Sequence, residues 1–229
     1  MRLEKASHKA IKYACLNFHY AKSVPNVGLA YNVFNNNNEW CGVICFGIGA
    51  TNNIGRPYGL SQGQIVELVR MALNGKQENT TKAMSIAIRL LKKDAPNVKL
   101  IVSYADSEQG HYGIIYQATN WFYTGFSIDT NLIVNGKREH RRTLGSRFGT
   151  CSSEKLKLKG HNVEVLKTKP KWKYIYSLDK SLVPLCKSLA KPYPKKQAQE
   201  VLPVARLAPS QEEGFDSTPA LKSSDDGLR

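Results

Sequence analysis

The run IVSYADSEQGHYGIIYQATNWFYTG, residues 101–125, decides how this chain is read. Ile101, Val102, Ser103 and Tyr104 continue an apolar segment that begins at Val98, and their β-prone character predicts a buried strand. The pattern then breaks into a polar loop, with Asp106, Ser107, Glu108, Gln109 and His111 around Gly110. Residues 112–121 read as a helix, with Ile115, Ala118 and Phe122 on one face and Tyr116 and Gln117 on another. A polar loop after a buried strand is where α/β folds collect ligand-handling groups. An ordinary solvated loop on a core strand would have the same pattern.

Upstream, QIVELVRMAL at residues 64–73 fits a strand or a helix by pattern alone. As a strand it places Glu67 and Arg70 on opposite faces, and a Glu inside such an apolar run calls for a cationic partner. Residues 79–93 give the clearest helix: Asn79 or Thr80 caps it, Ala83, Ile86, Ala87, Leu90 and Leu91 form its stripe, and Pro96 ends it. The unpaired N–H groups at its start, at Thr80 and Thr81, can hold a phosphate, as those of any capped helix can. Residues 3–18 read as a short amphipathic helix running into His19, Tyr20, Ala21 and Lys22 before Pro25. Residues 27–34 and 39–48 form a hairpin pattern around four asparagines, residues 51–59 a loop, and Asn135-Gly136 marks a second hairpin after residues 126–134. The order of these segments is an α/β layout.

The formal charge of +15 over 229 residues points to a polyanionic partner, and the absence of a Lys-rich helix with a bulky apolar face favours nucleic acid over membrane. Residues 137–173 hold twelve basic and three acidic residues, a concentration that a generally basic surface does not require. Lys137, Arg138, Arg141, Arg142 and Arg147 open this segment, and Lys171 and Lys173 alternate with Trp172, Tyr174 and Tyr176 at its end. Cations interleaved with aromatics suit a surface that follows phosphates and stacks bases; a lysine-bearing edge strand would look the same. The expected division is one domain over residues 1–190 and a disordered, Pro- and Ser-rich tail over 191–229.

Five cysteines without a CxxC pair read as buried or free thiols in a reducing cytoplasm. The longest uncharged apolar run, residues 41–50, is too short to span a bilayer, and no signal-peptide core is visible. A soluble cytoplasmic protein without membrane contact is expected.

The order of elements through Tyr104-Ala105-Asp106 resembles the acyl-CoA-binding core of the GNAT acetyltransferases, a mixed central sheet flanked by helices. It lacks the usual Gly-rich pyrophosphate loop, since residues 73–81 contain Gly75 alone. A closer resemblance is to the phage Mom family of adenine methylcarbamoylation proteins. It rests on His19-Tyr20 after the first helix, ELVRMAL at residues 67–73, the helix carrying Ser85, and above all SYADSEQGHYGIIYQATNWFYTG at residues 103–125, within a span of roughly residues 10 to 150. The resemblance implies modification of adenine N6 in double-stranded phage DNA, with acetyl-CoA and Fe2+, that shields the DNA from restriction nucleases. It implies catalytic roles for His19, Tyr20, Asp106 and Tyr116, with His19 and Asp106 as iron ligands and Tyr116 acting at the thioester as acid or orienter. Arg70 and Ser85, with Thr80 and Thr81, would handle the CoA phosphates, unless Arg70 instead steadies Glu67. A paired adenine must leave the stack to react, and Tyr20, Tyr104, Tyr116 and Trp121 would receive it while the basic segment 137–173 holds the duplex. Two other classes compete: a plain N-acetyltransferase acting on another amine, and a DNA-binding protein without catalysis.

Overall fold

The computed structural model describes residues 1–49, 51, 53–127, 130–139, 141–167 and 169–195. Ten strands and six helices follow in chain order. The first are β1 (Arg2–Lys5), α1 (His8–Asn17), β2 (Leu29–Phe34), β3 (Trp40–Gly47), β4 (Ile65–Leu73), α2 (Thr80–Asp94) and β5 (Leu100–Asp106). After them come α3 (Ile114–Gln117), β6 (Phe122–Ser127), β7 (Thr130–Val134), β8 (Lys137–Glu139), α4 (Arg141–Phe148), α5 (Ser153–Leu158), β9 (Val163–Lys167), β10 (Lys171–Ser177) and α6 (Val183–Leu189).

Seven strands make the central sheet, in the order β1-β2-β3-β4-β5-β10-β6. Every neighbouring pair is antiparallel except β4 and β5, which run parallel because α2 connects them as a crossover. The mixed sheet with flanking helices is the α/β architecture expected.

Residue alternation sorts the core into faces. Ile44 and Phe46 on β3, Leu68 on β4 and Ile101 and Ala105 on β5 pack toward α2, which buries Ala83, Met84, Ala87, Ile88 and Leu91 against them. Each fully buried Leu or Met there contributes about 1.5–3 kcal/mol. The helix begins where it does because the Asn79 side chain accepts the Lys82 N–H at 2.9 Å. On the opposite face α1 covers β3 and β4 through Ile11, Ala14, Cys15, Val43, Cys45 and Ala72. Farther along that face, Tyr58 and Cys186 cover Ile65, Leu100, Val102 and Ile175.

The other three strands, in the order β8-β7-β9, form a separate small sheet. Leu132, Val134, Leu144, Leu156 and Val163 give it a core of its own with α4 and α5. This basic module lies between β6 and β10 in the chain, and those two strands then pair with each other in the main sheet.

Several expectations change. The helix expected over residues 3–18 is shorter, because residues 2–5 pair with β2 as an edge strand and Ser7 starts α1 by accepting the Ala10 N–H at 3.3 Å. The helix expected over 112–121 shrinks to one turn, α3, because Gly113 adopts φ 74 and Asn120 φ 60, left-handed conformations that a helix interior excludes. The ambiguous 64–73 segment is a strand, paired along both edges. β10 lies inside the sheet between β5 and β6 and is not an edge strand. Its Tyr174 is buried in the core, and Trp172 and Tyr176 are partly buried against it. The body continues beyond residue 190, since Lys191 N–H donates to the Tyr123 carbonyl at 2.8 Å and the Tyr193 hydroxyl donates to Trp121 O at 2.8 Å. The rest of the expected tail, residues 196–229, lies outside the described residues, as does His140. Among the described residues no helix is long and apolar enough to cross a membrane.

Candidate functional site

β4 and β5 pair only over Ile65–Leu100, Val66–Ile101 and Glu67–Val102, although β4 continues to Leu73 and β5 to Asp106. A bulge explains the parting: on β3, Cys45 faces Arg70 and the next residue, Phe46, faces Leu68, so Val69 is extra and β4 bends away from β5. Backbone groups in the opening lose their ladder partners and must find others. Ser103 supplies one, its Oγ donating to the Leu68 carbonyl at 2.9 Å across the gap. Its single proton is thereby committed, so at 2.8 Å the Tyr116 hydroxyl donates to Ser103. Burial pushes the Tyr116 phenol above its ordinary value, with the Glu67 charge adding to the effect. Tyr116 thus joins the Ser103 bridge between the two strands and keeps its proton near pH 7.

A cavity of about 550 Å³ occupies the opening. This lies within the roughly 300–1,000 Å³ range of small-molecule sites. Its wall draws on the end of α1 (Phe18, His19, Tyr20), on β4 (Leu68 to Met71), on the end of β5 (Tyr104 to Asp106) and on residues 110–116. The structure thus brings His19, Tyr20, Arg70, Asp106 and Tyr116 to one cavity from segments far apart in the chain.

Asp106 anchors the polar side. It accepts the Tyr20 hydroxyl at 3.1 Å on Oδ2 and the Glu108 N–H at 3.0 Å on Oδ1. Burial, then the Asp106 charge, pushes the Tyr20 phenol up to about 12, so the phenol stays protonated. The His19 ring lies 4.3 Å from that of Tyr20, and His111 approaches Tyr20 edge-on at 5.9 Å. His19 is held down to about 4, first by burial and then by the charges of Arg70, His111 and Lys22, and is neutral near pH 7. Its Nδ1 accepts the Ala21 N–H at 3.1 Å, which leaves the proton on Nε2. Arg70 donates to Val69 O at 2.9 Å and to Ser23 Oγ at 3.5 Å, while its Nε is buried without a hydrogen-bond partner. That buried N–H at the cavity wall gives Arg70 a donor suited to an anionic group.

The donor set does not fit the expected iron. The tautomer that Ala21 imposes on His19 puts a proton where a metal would need a lone pair. Among the described residues no group of three or more His, Cys, Asp and Glu could hold a metal ion. The expectation of His19 and Asp106 as iron ligands thus finds no support in this geometry.

Three residues expected at the cofactor stand outside the cavity wall. Thr80 accepts from Gln77 at 3.0 Å, Thr81 donates to Asn79 at 2.6 Å, and Ser85 donates back to Thr81 O at 2.9 Å on the exposed side of α2. Trp121 is fully buried against Tyr116 and Tyr176 and cannot take a base, whereas Tyr20, Tyr104 and Tyr116 do line the cavity.

The basic residues divide by neighbourhood. Glu139 is buried in the module, taking Arg147 at 2.7 Å and Lys137 at 3.9 Å, while both cationic side chains stay largely exposed. Lys173 is half-buried over the Tyr58 ring at 5.2 Å, and burial lowers its pKa. Lys155 and Lys157 on α5 are exposed, as are Lys137 and Arg138. The side chains of Arg141 and Arg142 lie outside the described residues.

Reading the sequence missed Ser103, Gly113, Ile114 and Phe18. A hydroxyl inside an apolar strand, and a glycine between Tyr112 and Ile114, were the available signals for the first two.

The Mom protein family matches residues 1–195. The protein called methylcarbamoylase mom, from Escherichia phage Mu, is 29% identical over 133 residues, 56% of this chain and 55% of that protein. The chain thus spans about half the length of the curated relative it matches. Among solved structures, a Bacillus subtilis acetyltransferase in complex with CoA has a TM-score of 0.44 at 14% identity, covering 77% of this chain and 98% of its own. A spermidine N-acetyltransferase chimera from Vibrio cholerae has a TM-score of 0.43 at 10% identity, covering 77% and 96%.

Proposed function

Since the chain belongs to the Mom protein family, we propose that it is a phage DNA-modification enzyme that uses acetyl-CoA to alter the N6 amine of adenine and so protects the DNA from restriction. The observation that carries the reading is the opening between parallel β4 and β5, a cavity with a carboxylate, a neutral imidazole and an arginine on one wall. Unpaired β4 backbone in the opening offers ladder groups to an amide-bearing donor such as a pantetheine arm, and the buried Nε of Arg70 offers a hydrogen bond to its anionic end. Whatever bond N6 makes, it must shed a proton. Asp106 is the carboxylate placed to accept it, with the Tyr20 phenol as the relay hydrogen-bonded to it. His19, neutral with its proton on Nε2, is a donor to a carbonyl oxygen that gains charge as it is attacked. No step is assigned to iron.

The name of the phage Mu relative supports an adduct of methylcarbamoyl type, which takes from acetyl-CoA only its two carbons and requires in addition a nitrogen donor for the amide and a two-electron oxidant for the new bond to the methyl carbon. The module formed by residues 130–167, with nine Lys and Arg against three Glu, would hold the duplex through its phosphates. The purified chain, mixed with duplex DNA and acetyl-CoA carrying labelled acetyl carbons, tests the proposal. Label on N6 of deoxyadenosine supports it, and label absent from DNA in the presence of bound CoA overturns it. A second reading, simple N-acetylation, is favoured by the Nε2 proton of His19, a donor suited to a thioester carbonyl that is attacked directly; a product that gains an acetyl group without an added nitrogen would establish it.

A further inference from the structure

Ile114 is 70% exposed, yet it forms part of the cavity wall and begins α3. A lone exposed apolar residue is common on a surface; what sets this one apart is its place on the wall of the cavity, where it can touch what the cavity receives. The residues beneath it are fixed. Gly113, at φ 74, lies so close to the buried Tyr174 ring that a Cβ there would come within 2.5 Å of Cζ and 2.6 Å of the hydroxyl oxygen. That hydroxyl donates to the Tyr112 carbonyl at 2.6 Å, and the Gln117 side chain donates to the same carbonyl at 3.0 Å. Ile114 thus projects from a pinned turn, which a residue meant to push against something requires.

Its surroundings say against what. The loop just before it is tied to the strand that returns from the basic module: Glu108 Oε1 accepts the Lys169 N–H at 3.2 Å, the Ser107 hydroxyl donates to Pro170 O, and Asp106 pairs in register with Lys171. The module carries its excess of cations on the same arm of the chain. A duplex held there by its phosphates would meet Ile114 at the edge of the cavity.

We propose that Ile114 is a wedge that enters the base stack of the duplex and fills the place left by the adenine that swings into the cavity. The inference rests on the reading that an adenine is the substrate. Extruding a paired base costs stacking and pairing energy, and an apolar side chain inserted between neighbouring bases restores part of the lost contact. Leu158 is more exposed, but it lies on the module and does not line the cavity.

The test compares the native chain with Ile114→Ala and Ile114→Leu on two substrates of one sequence, a fully paired duplex and a duplex whose adenines are left unpaired in a bubble. Ile114→Ala is expected to lose roughly tenfold or more on the paired duplex, to act within about twofold of native on the bubble, and to be restored by Ile114→Leu. Equal rates on the paired duplex, or equal loss on both substrates, would overturn the wedge. A second readout is independent of the chemistry. With 2-aminopurine in place of adenine and no acyl donor, the native chain should raise the fluorescence of the paired duplex and Ile114→Ala should not. A rise that Ile114→Ala preserves overturns the wedge. A rise that needs Ile114, from a chain that modifies neither substrate, supports the wedge and defeats the acyl-transfer reading alone.

Discussion

Gly113→Ala is a quantitative probe of how the cavity rim is built. A non-glycine residue at φ 74 costs about 1–2 kcal/mol in backbone strain. The new methyl group would also overlap the Tyr174 ring, and Tyr174 is fully buried with its hydroxyl bound to Tyr112 O, so the ring has little freedom to retreat. Forcing an extra carbon into such a contact costs about 1–3 kcal/mol. Together the loss is about 2–5 kcal/mol, a large share of a stability of roughly 5–15 kcal/mol. Gly110→Ala is the matched control, because Gly110 has φ 69 and a Cβ there meets nothing within 4 Å. Only the backbone strain of about 1–2 kcal/mol applies to it, and the gain from a less flexible unfolded chain is common to both variants. Urea unfolding of the three proteins, with midpoints compared at a shared slope, measures the difference. Gly113→Ala should fall at least about 1 kcal/mol below Gly110→Ala. Equal losses would show that the ring does not press on the turn and would refute the rigid platform under Ile114.

Other consequences follow from the same wall. Ser103→Ala strands the Leu68 carbonyl and the Tyr116 hydroxyl in a buried place and should cost about 1–3 kcal/mol in urea unfolding, with a loss under about 0.5 kcal/mol contradicting the bridge. His19 should titrate by NMR at about 4 with its proton on Nε2, and titration near 6.5 would contradict its burial. Because its folded pKa is depressed below 6.5, its stabilising contribution is complete above pH 6.5 and is lost as pH falls toward about 4. The affinity of the chain for duplex DNA should fall steeply with salt, and Lys155→Gln with Lys157→Gln should lower the log–log slope by about two; an unchanged slope would remove the module from the interface.

The parts of the fold legible in the sequence are those that local chemistry dictates. Asn79 and the apolar stripe behind it announce α2, and the asparagines between β2 and β3 announce their hairpin. What was not legible depends on partners distant in the chain. β1 is four residues without alternation and exists because β2 offers it an edge. The lysines of β10 look like edge protection until β6 is seen to close the sheet beyond it. The small core of Leu132, Val134, Leu144, Leu156 and Val163 is scattered among cations, so charge hid a folded module. The site divides in the same way: resemblance identified His19, Tyr20, Arg70, Asp106 and Tyr116, and the structure brings all five to one cavity. The β4 bulge that makes room for a ligand, and the Ser103 bridge beneath it, follow from strand register, which no single segment encodes.

The central claim is that the parted strands gather a carboxylate and a donor site around an everted adenine. Mass spectrometry of nucleosides from the DNA of cells producing the native chain or Asp106→Asn tests it most directly. A modified deoxyadenosine is expected with the native chain, and its loss with Asp106→Asn at equal protein levels. Ordinary deoxynucleosides alone from cells making the folded native chain, or undiminished modification by Asp106→Asn, would contradict it.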